Sequence, residues 1–141
     1  MTDEEIDKLE EGPELDRLVA ERVMGWTYDE PRWLTSDGKP TGWNGDAHRI
    51  FSPSTDIAAA WVVITQAQAF LLKAGDIPGD WVALLGSGID DKPFWSASFG
   101  CLDPMDWRDA TERDHSDCVH GDADSSPLAI CRAALKAVMR A

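Results

Sequence analysis

The chain has 141 residues, a formal net charge of −13, 43% hydrophobic residues and seven tryptophans. That length suits one domain, 1–141, with its own core, and the apolar share excludes a disordered chain despite the excess of acid. The charge disfavours direct contact with nucleic-acid phosphates, although mimicry of nucleic acid stays open. The longest apolar run, 57–72, is interrupted by Thr65, Gln66 and Gln68 and falls short of a membrane span. Cys101, Cys118 and Cys131 form an odd set without paired spacing, and the first residues are acidic rather than basic and apolar. The expected setting is therefore reduced and cytoplasmic.

Read from the first residue, Thr2 followed by Glu5 is a capping-box pattern and opens a short helix. After Gly12 and Pro13, the residues Leu15, Leu18, Val19 and Val23 recur at helical spacing, and Gly25 supplies a left-handed stop. Pro31, Gly38, Pro40, Gly42 and Gly45 break up 26–51, which predicts loops and two short strands around Trp33, Trp43 and Ile50. The clearest helix follows, with Ser54 as its cap, Asp56 at its positive end, and Ile57, Ala60, Trp61, Ile64 and Leu71 on the inward face. Gly75 ends it. Residues 81–85 and 94–99 read as a hairpin turned by Gly86, Ser87, Gly88 and 90–93, with Trp95, Ala97 and Phe99 pointing one way. Residues 103–124 lack any apolar period and read as a long surface loop; Ser126 and Pro127 then start a last helix whose buried stripe is Leu128, Cys131, Leu135 and Val138.

The charge is unevenly spread. Residues 1–16 hold eight acids and one base, 103–124 hold eight acids and two bases, and the remainder has ten of each. The plainer account is a solvated helix and a solvated loop. The functional account is a surface that attracts a cationic partner.

Three stretches carry a resemblance. Glu14, Leu15 and Asp16 through Val23, Met24, Gly25 and Trp26, then Ser54, Thr55, Asp56, Ile57, Ala58, Ala59, Ala60 and Trp61, then Pro127 through Leu135 resemble the phage ABA-sandwich domain family in the family's order. The resemblance implies an α+β fold, an α/β/α sandwich with a short antiparallel sheet between helices, carrying here a long acidic surface loop. It also implies a phage or prophage origin and spans almost the whole chain. It transfers no catalytic residue and no cofactor. The 103–124 stretch looks longer than the family's usual connection.

Individual constellations are weak. His115, Cys118 and His120 have a spacing that could hold zinc with Asp114 or Asp122, but all sit in one polar stretch, whereas structural zinc sites pair ligands from two places. Asp122, Asp124 and Ser126 begin like a calcium loop, yet Pro127 stands where the turn needs glycine and no glutamate closes it. Cys101 with His48 is a conceivable nucleophile pair that nothing positions. Among 26 acids, a hydrolase-like pair is expected by chance. No metal, no cofactor and no catalytic activity are expected.

The tryptophans are the more informative excess. Trp61 and Trp81 read as core, while Trp26, Trp33, Trp43, Trp95 and Trp107 lie beside irregular segments. They are satellite core residues in the plainer account, and stacking platforms in the functional one. Two functions follow. In the first, the protein is a non-catalytic phage accessory factor that binds and inhibits a host protein, conceivably a defence component. It would press Asp103, Asp106, Asp109, Glu112, Asp114 and Asp117, together with the acidic first helix, against a basic surface. In the second, Trp33, Trp43, His48 and Arg49 line a pocket for a small ligand such as a nucleotide. A membrane partner is not expected.

Overall fold

The structure, a computed structural model, describes residues 1–46, 48–74, 82–89, 92–99 and 119–140. The chain opens with the capped turn its sequence encodes. Thr2 Oγ1 accepts the Glu5 N–H at 3.2 Å and the Glu5 carboxylate accepts the Thr2 N–H at 2.6 Å, ahead of α1 (Asp3–Asp7). Proline at the first turn starts α2 (Pro13–Arg22), which buries Leu15, Asp16, Val19 and Ala20. The expected apolar stripe is present, and Gly25, at φ +70°, follows the helix end.

Three strands, where two were expected, then form a small antiparallel sheet in the order β1 (Thr27–Asp29), β2 (Arg32–Leu34), β3 (Pro40–Asn44). Two are only three residues long, too short for alternation to be read from sequence. Tyr28 sits directly opposite Trp33, their rings 4.8 Å apart.

Helix α3 (Ile57–Ala74) departs from its predicted orientation. Asp56, not Ser54, caps it, accepting the Ala58 N–H at 3.0 Å. Its buried face is Ala59, Ala60, Val63, Ile64 and Ala67, while Ile57 is exposed and Trp61 is 56% exposed. The reason is the partner. α3 packs on α4 (Ser126–Arg140), itself rich in buried alanine, and two small-residue faces approach more closely than a tryptophan would allow. Gly75, Trp81, Cys101, Trp107 and Cys118 lie outside the described residues.

The second sheet runs β4 (Val82–Ile89), β5 (Lys92–Phe99), β6 (Val119–Ala123), all antiparallel. The predicted hairpin is observed, but Gly86, Ser87 and Gly88 are strand rather than turn. Gly86 pairs with Trp95, whose ring crosses it so closely that a Cβ there would lie 2.8 Å from Trp95 Cζ3. The end of the expected acidic loop is also strand. Val119, Gly121 and Ala123 alternate inward with exposed His120 and half-buried Asp122, a period-two pattern hidden by small side chains.

Helix α4 begins at Ser126, so Ser125 rather than Ser126 occupies the capping position, and its carbonyl accepts the Ala129 N–H. It is buried nearly all round, beyond the predicted stripe. From Leu128 to Ala137 only Arg132 is part-exposed. It lies on β5 and β6 along one side and meets α1, α2 and α3 along others. The architecture is thus α+β, with antiparallel sheets and helices sharing one apolar cluster.

Candidate functional site

Two cations on α4 organise the surface formed by the first 16 residues. Leu128, Arg132 and Lys136 share a stripe at i, i+4 spacing. Lys136, only 5% exposed, places its ammonium 2.7 Å from Asp7 Oδ1 of α1. Arg132 donates from Nη2 to the Leu9 carbonyl at 2.8 Å and from Nη1 to the Asp122 carbonyl at 2.7 Å. This fork ties the α1–α2 connection to β6, so Glu10 and Glu11 from the first acidic segment and Asp124 from the second line one cleft of about 550 Å³ above Leu128 and Arg132. The sequence separates these acids by more than a hundred residues, and the Arg132 contacts bring their segments together.

The same connection continues the depression in the other direction. A hollow of about 620 Å³ along residues 8–15 shares Glu10 and Glu11 with the acidic cleft, and shares Gly12 and Pro13 with a third of about 490 Å³. This last part is aromatic. Trp33, 4% exposed, lies in its lining with Tyr28, Phe51, the 44%-exposed Ile50, Asp16 and Arg17. Asp16 Oδ1 accepts the Ser54 N–H at 2.8 Å, and Ser54 Oγ accepts the Gly12 N–H at 3.0 Å, which clasps the segment before α3 onto the start of α2. That use explains why Ser54 does not cap α3.

Acids outnumber bases around the aromatic cleft, with Asp16 and Arg17 in its lining and Glu11, Glu30 and Asp46 acting on Asp16 or Tyr28. Burial raises the Asp16 pKa, the Ser54 hydrogen bonds draw it back in part, and Glu11 adds to the rise. Burial, then Asp46 and Glu30, raise Tyr28, with Arg17 opposing. Arg17 pairs with Glu21 at 3.0 Å and leans over Tyr28, 5.9 Å from the ring centroid.

The predicted pocket residues divide. Trp33 lines the aromatic cleft. Trp43 stands on the far side of Phe51, 5.5 Å from that ring, with the Arg49 guanidinium 5.1 Å over its own. His48 is exposed, and its carbonyl accepts from Asn44 Nδ2. Neither Trp43, His48 nor Arg49 lines the cleft that Trp33 does. Asp103, Asp106, Asp109, Glu112, Asp114, Asp117, His115 and Cys118 lie outside the described residues, and His120 is exposed on β6. Among the described residues, no three metal-ligating side chains converge. Cys131 is buried, and burial pushes its thiol pKa up, which makes it unreactive. No described helix is long and apolar enough to cross a membrane.

The family model of the phage ABA sandwich domain matches residues 17–97, more than half of the chain. The chain belongs to this family. The match begins within α2, runs through the small sheet, α3 and β4, and ends within β5, short of the third resembling stretch at 127–135. A crystal structure of a phage protein from Bacillus cereus ATCC 14579 shares the fold, with a TM-score of 0.51 at 17% identity, covering 90% of this chain and 86% of that one. That likeness shows the fold over nine tenths of the chain. No curated protein matches the chain.

Proposed function

We propose that this family member is a non-catalytic accessory factor that binds, and thereby inhibits, a host protein presenting a basic surface. One observation carries the reading. Arg132 joins the Leu9 and Asp122 carbonyls and gathers acids from both charge-rich segments around one cleft. Acids that line one surface attract a cationic partner and speed its encounter. The acids Asp103, Asp106, Asp109, Glu112, Asp114 and Asp117 enlarge the proposed contact.

Capture of tagged protein from bacterial lysate at low and moderate salt tests this. A stoichiometric host protein that dissociates as salt rises, and is lost when Glu10, Glu11 and Asp124 become amides, supports it. Capture of nothing under either condition, or of a partner indifferent to those changes, overturns it. The second reading, a small planar ligand, is favoured by the volume and aromatic lining of the third hollow, and predicts binding that tolerates salt and depends on Trp33.

A further inference from the structure

The acidic cleft and the aromatic cleft both adjoin the hollow along residues 8–15. Glu10 and Glu11 belong to that hollow and the acidic cleft, and Gly12 and Pro13 to that hollow and the aromatic cleft, so a chain lying against the acids can follow the depression toward Tyr28, Trp33 and Phe51. The aromatic end has the composition of an anchor pocket, with apolar walls and few polar groups. Its charge selects the anchor. Asp16 lies in the lining, Glu11 acts on Asp16, and Asp46 and Glu30 act on Tyr28, whereas Arg17, the cation among the described lining residues, is paired with Glu21. A phosphate or carboxylate is repelled there; a cation is drawn in.

The type of cation follows from the rings. This part of the fold already lays a guanidinium over an aromatic face twice, Arg17 over Tyr28 and Arg49 over Trp43. A guanidinium is planar and weakly hydrated, and its three-carbon stem suits an apolar wall such as Ile50, which is 44% exposed. A lysine ammonium is more strongly hydrated and gains less from entering.

We infer that the aromatic cleft receives an arginine side chain of the basic partner, its stem against Ile50 and Phe51 and its guanidinium directed toward Asp16. This deepens the accessory-factor reading and rests on it for the identity of the partner as a protein.

The test uses the full chain and an Arg-Gly repeat peptide, with Lys-Gly and citrulline-Gly peptides as controls, followed by NMR at the indole N–H of Trp33. The Arg peptide should shift that signal saturably, the Lys peptide should bind about tenfold more weakly, and the citrulline peptide should not bind. Ile50→Arg, at an exposed position that leaves folding intact, places a cation of the protein's own at the mouth and should weaken the Arg peptide by about tenfold. Equal binding of arginine and citrulline peptides, or shifts confined to Glu10, Glu11 and Leu128 with Trp33 unmoved, overturns the inference. In the latter case the acidic surface still stands as the docking face. If the Arg peptide enters the cleft while lysate yields no host protein, the inhibitor reading fails and the cleft's arginine chemistry survives.

Discussion

Helix α4 and the small β1–β3 sheet use opposite means to hold their neighbours. Around α4 the contacts are made by small side chains, with Ala129, Ala133, Ala134 and Ala137 all buried, and two of its cations, Arg132 and Lys136, are spent inside the molecule. The small sheet is held by large rings in pairs, Tyr28 on Trp33, and Phe51 between Trp26 and Trp43. It leaves Arg17, Arg49 and Ile50 exposed. Close packing of small residues fixes backbone to backbone and tolerates no added atom. Ring pairing leaves gaps at its margins, and the aromatic cleft is such a gap. The first region supplies rigidity, and the second supplies something to bind with.

The largest effect should come from adding atoms at the tightest point of the α4 region. A Cβ on Gly121 would stand 2.4 Å from the Ala133 nitrogen and 2.6 Å from the Ala129 oxygen, both backbone atoms that cannot swing away. Gly121→Val should therefore cost about 3 kcal/mol or more of stability in denaturant unfolding. A loss below about 1 kcal/mol would mean that α4 can lift from β6 and that the contrast between the regions is overdrawn.

The next effect tests the spent cations. Asp7→Ala leaves Lys136 buried without its partner, and since Asp7 is half-exposed the penalty should fall to about 2 kcal/mol, below that of a fully enclosed pair. Lys136→Met in the Asp7→Ala background should recover most of it, because the apolar chain needs no partner. Failure of the recovery would show that the ammonium has a second role.

Asp16 gives a smaller effect with a defined sign. Burial raises its native pKa, so the folded protein holds the proton more tightly than the unfolded chain does. The resulting stability is full below the unfolded aspartate value and is lost as pH rises through the native one. Asparagine keeps an oxygen for the Ser54 N–H but never ionises. Asp16→Asn should therefore gain stability relative to the native chain as pH is raised across that window, by less than the Asp7 effect. Unfolding midpoints across an acid-to-neutral series measure it, and a pH-independent difference between the two proteins would remove Asp16 as the source.

The legibility of these features in the sequence follows their range. The capping box at Thr2 and Glu5, the α2 stripe and the alternation of Trp95, Ala97 and Phe99 are local patterns, and they are where the structure puts them. The family resemblance supplied the rest of the fold class. β6 was hidden because Gly121 and Ala123 make an inward face without looking apolar. Of the candidate site, the acidity was legible and the convergence was not, because it depends on Arg132 reaching two backbone carbonyls. Asp16 was one acid among 26, and nothing short of Ser54 distinguishes it. Tyr28, the chain's one tyrosine, was the available signal for the aromatic cleft, since cross-strand pairing with Trp33 is a common use of such residues.

The smallest effect concerns the residue whose position the apolar pattern misassigned. A tryptophan at helical spacing with Ile57, Ala60 and Ile64 reads as core, and its replacement would then cost about 3–5 kcal/mol. In the structure Trp61 is more than half exposed, whereas Ala60 and Ile64 are buried on the helix that packs against α4. Trp61→Gln should accordingly change stability by no more than about 0.5 kcal/mol, and should leave the Trp33 signal and the response to arginine peptides unaltered. A loss of several kcal/mol would place the tryptophan against an apolar neighbour after all, and would move the boundary between the rigid α4 region and the displayed surface onto the outer face of α3.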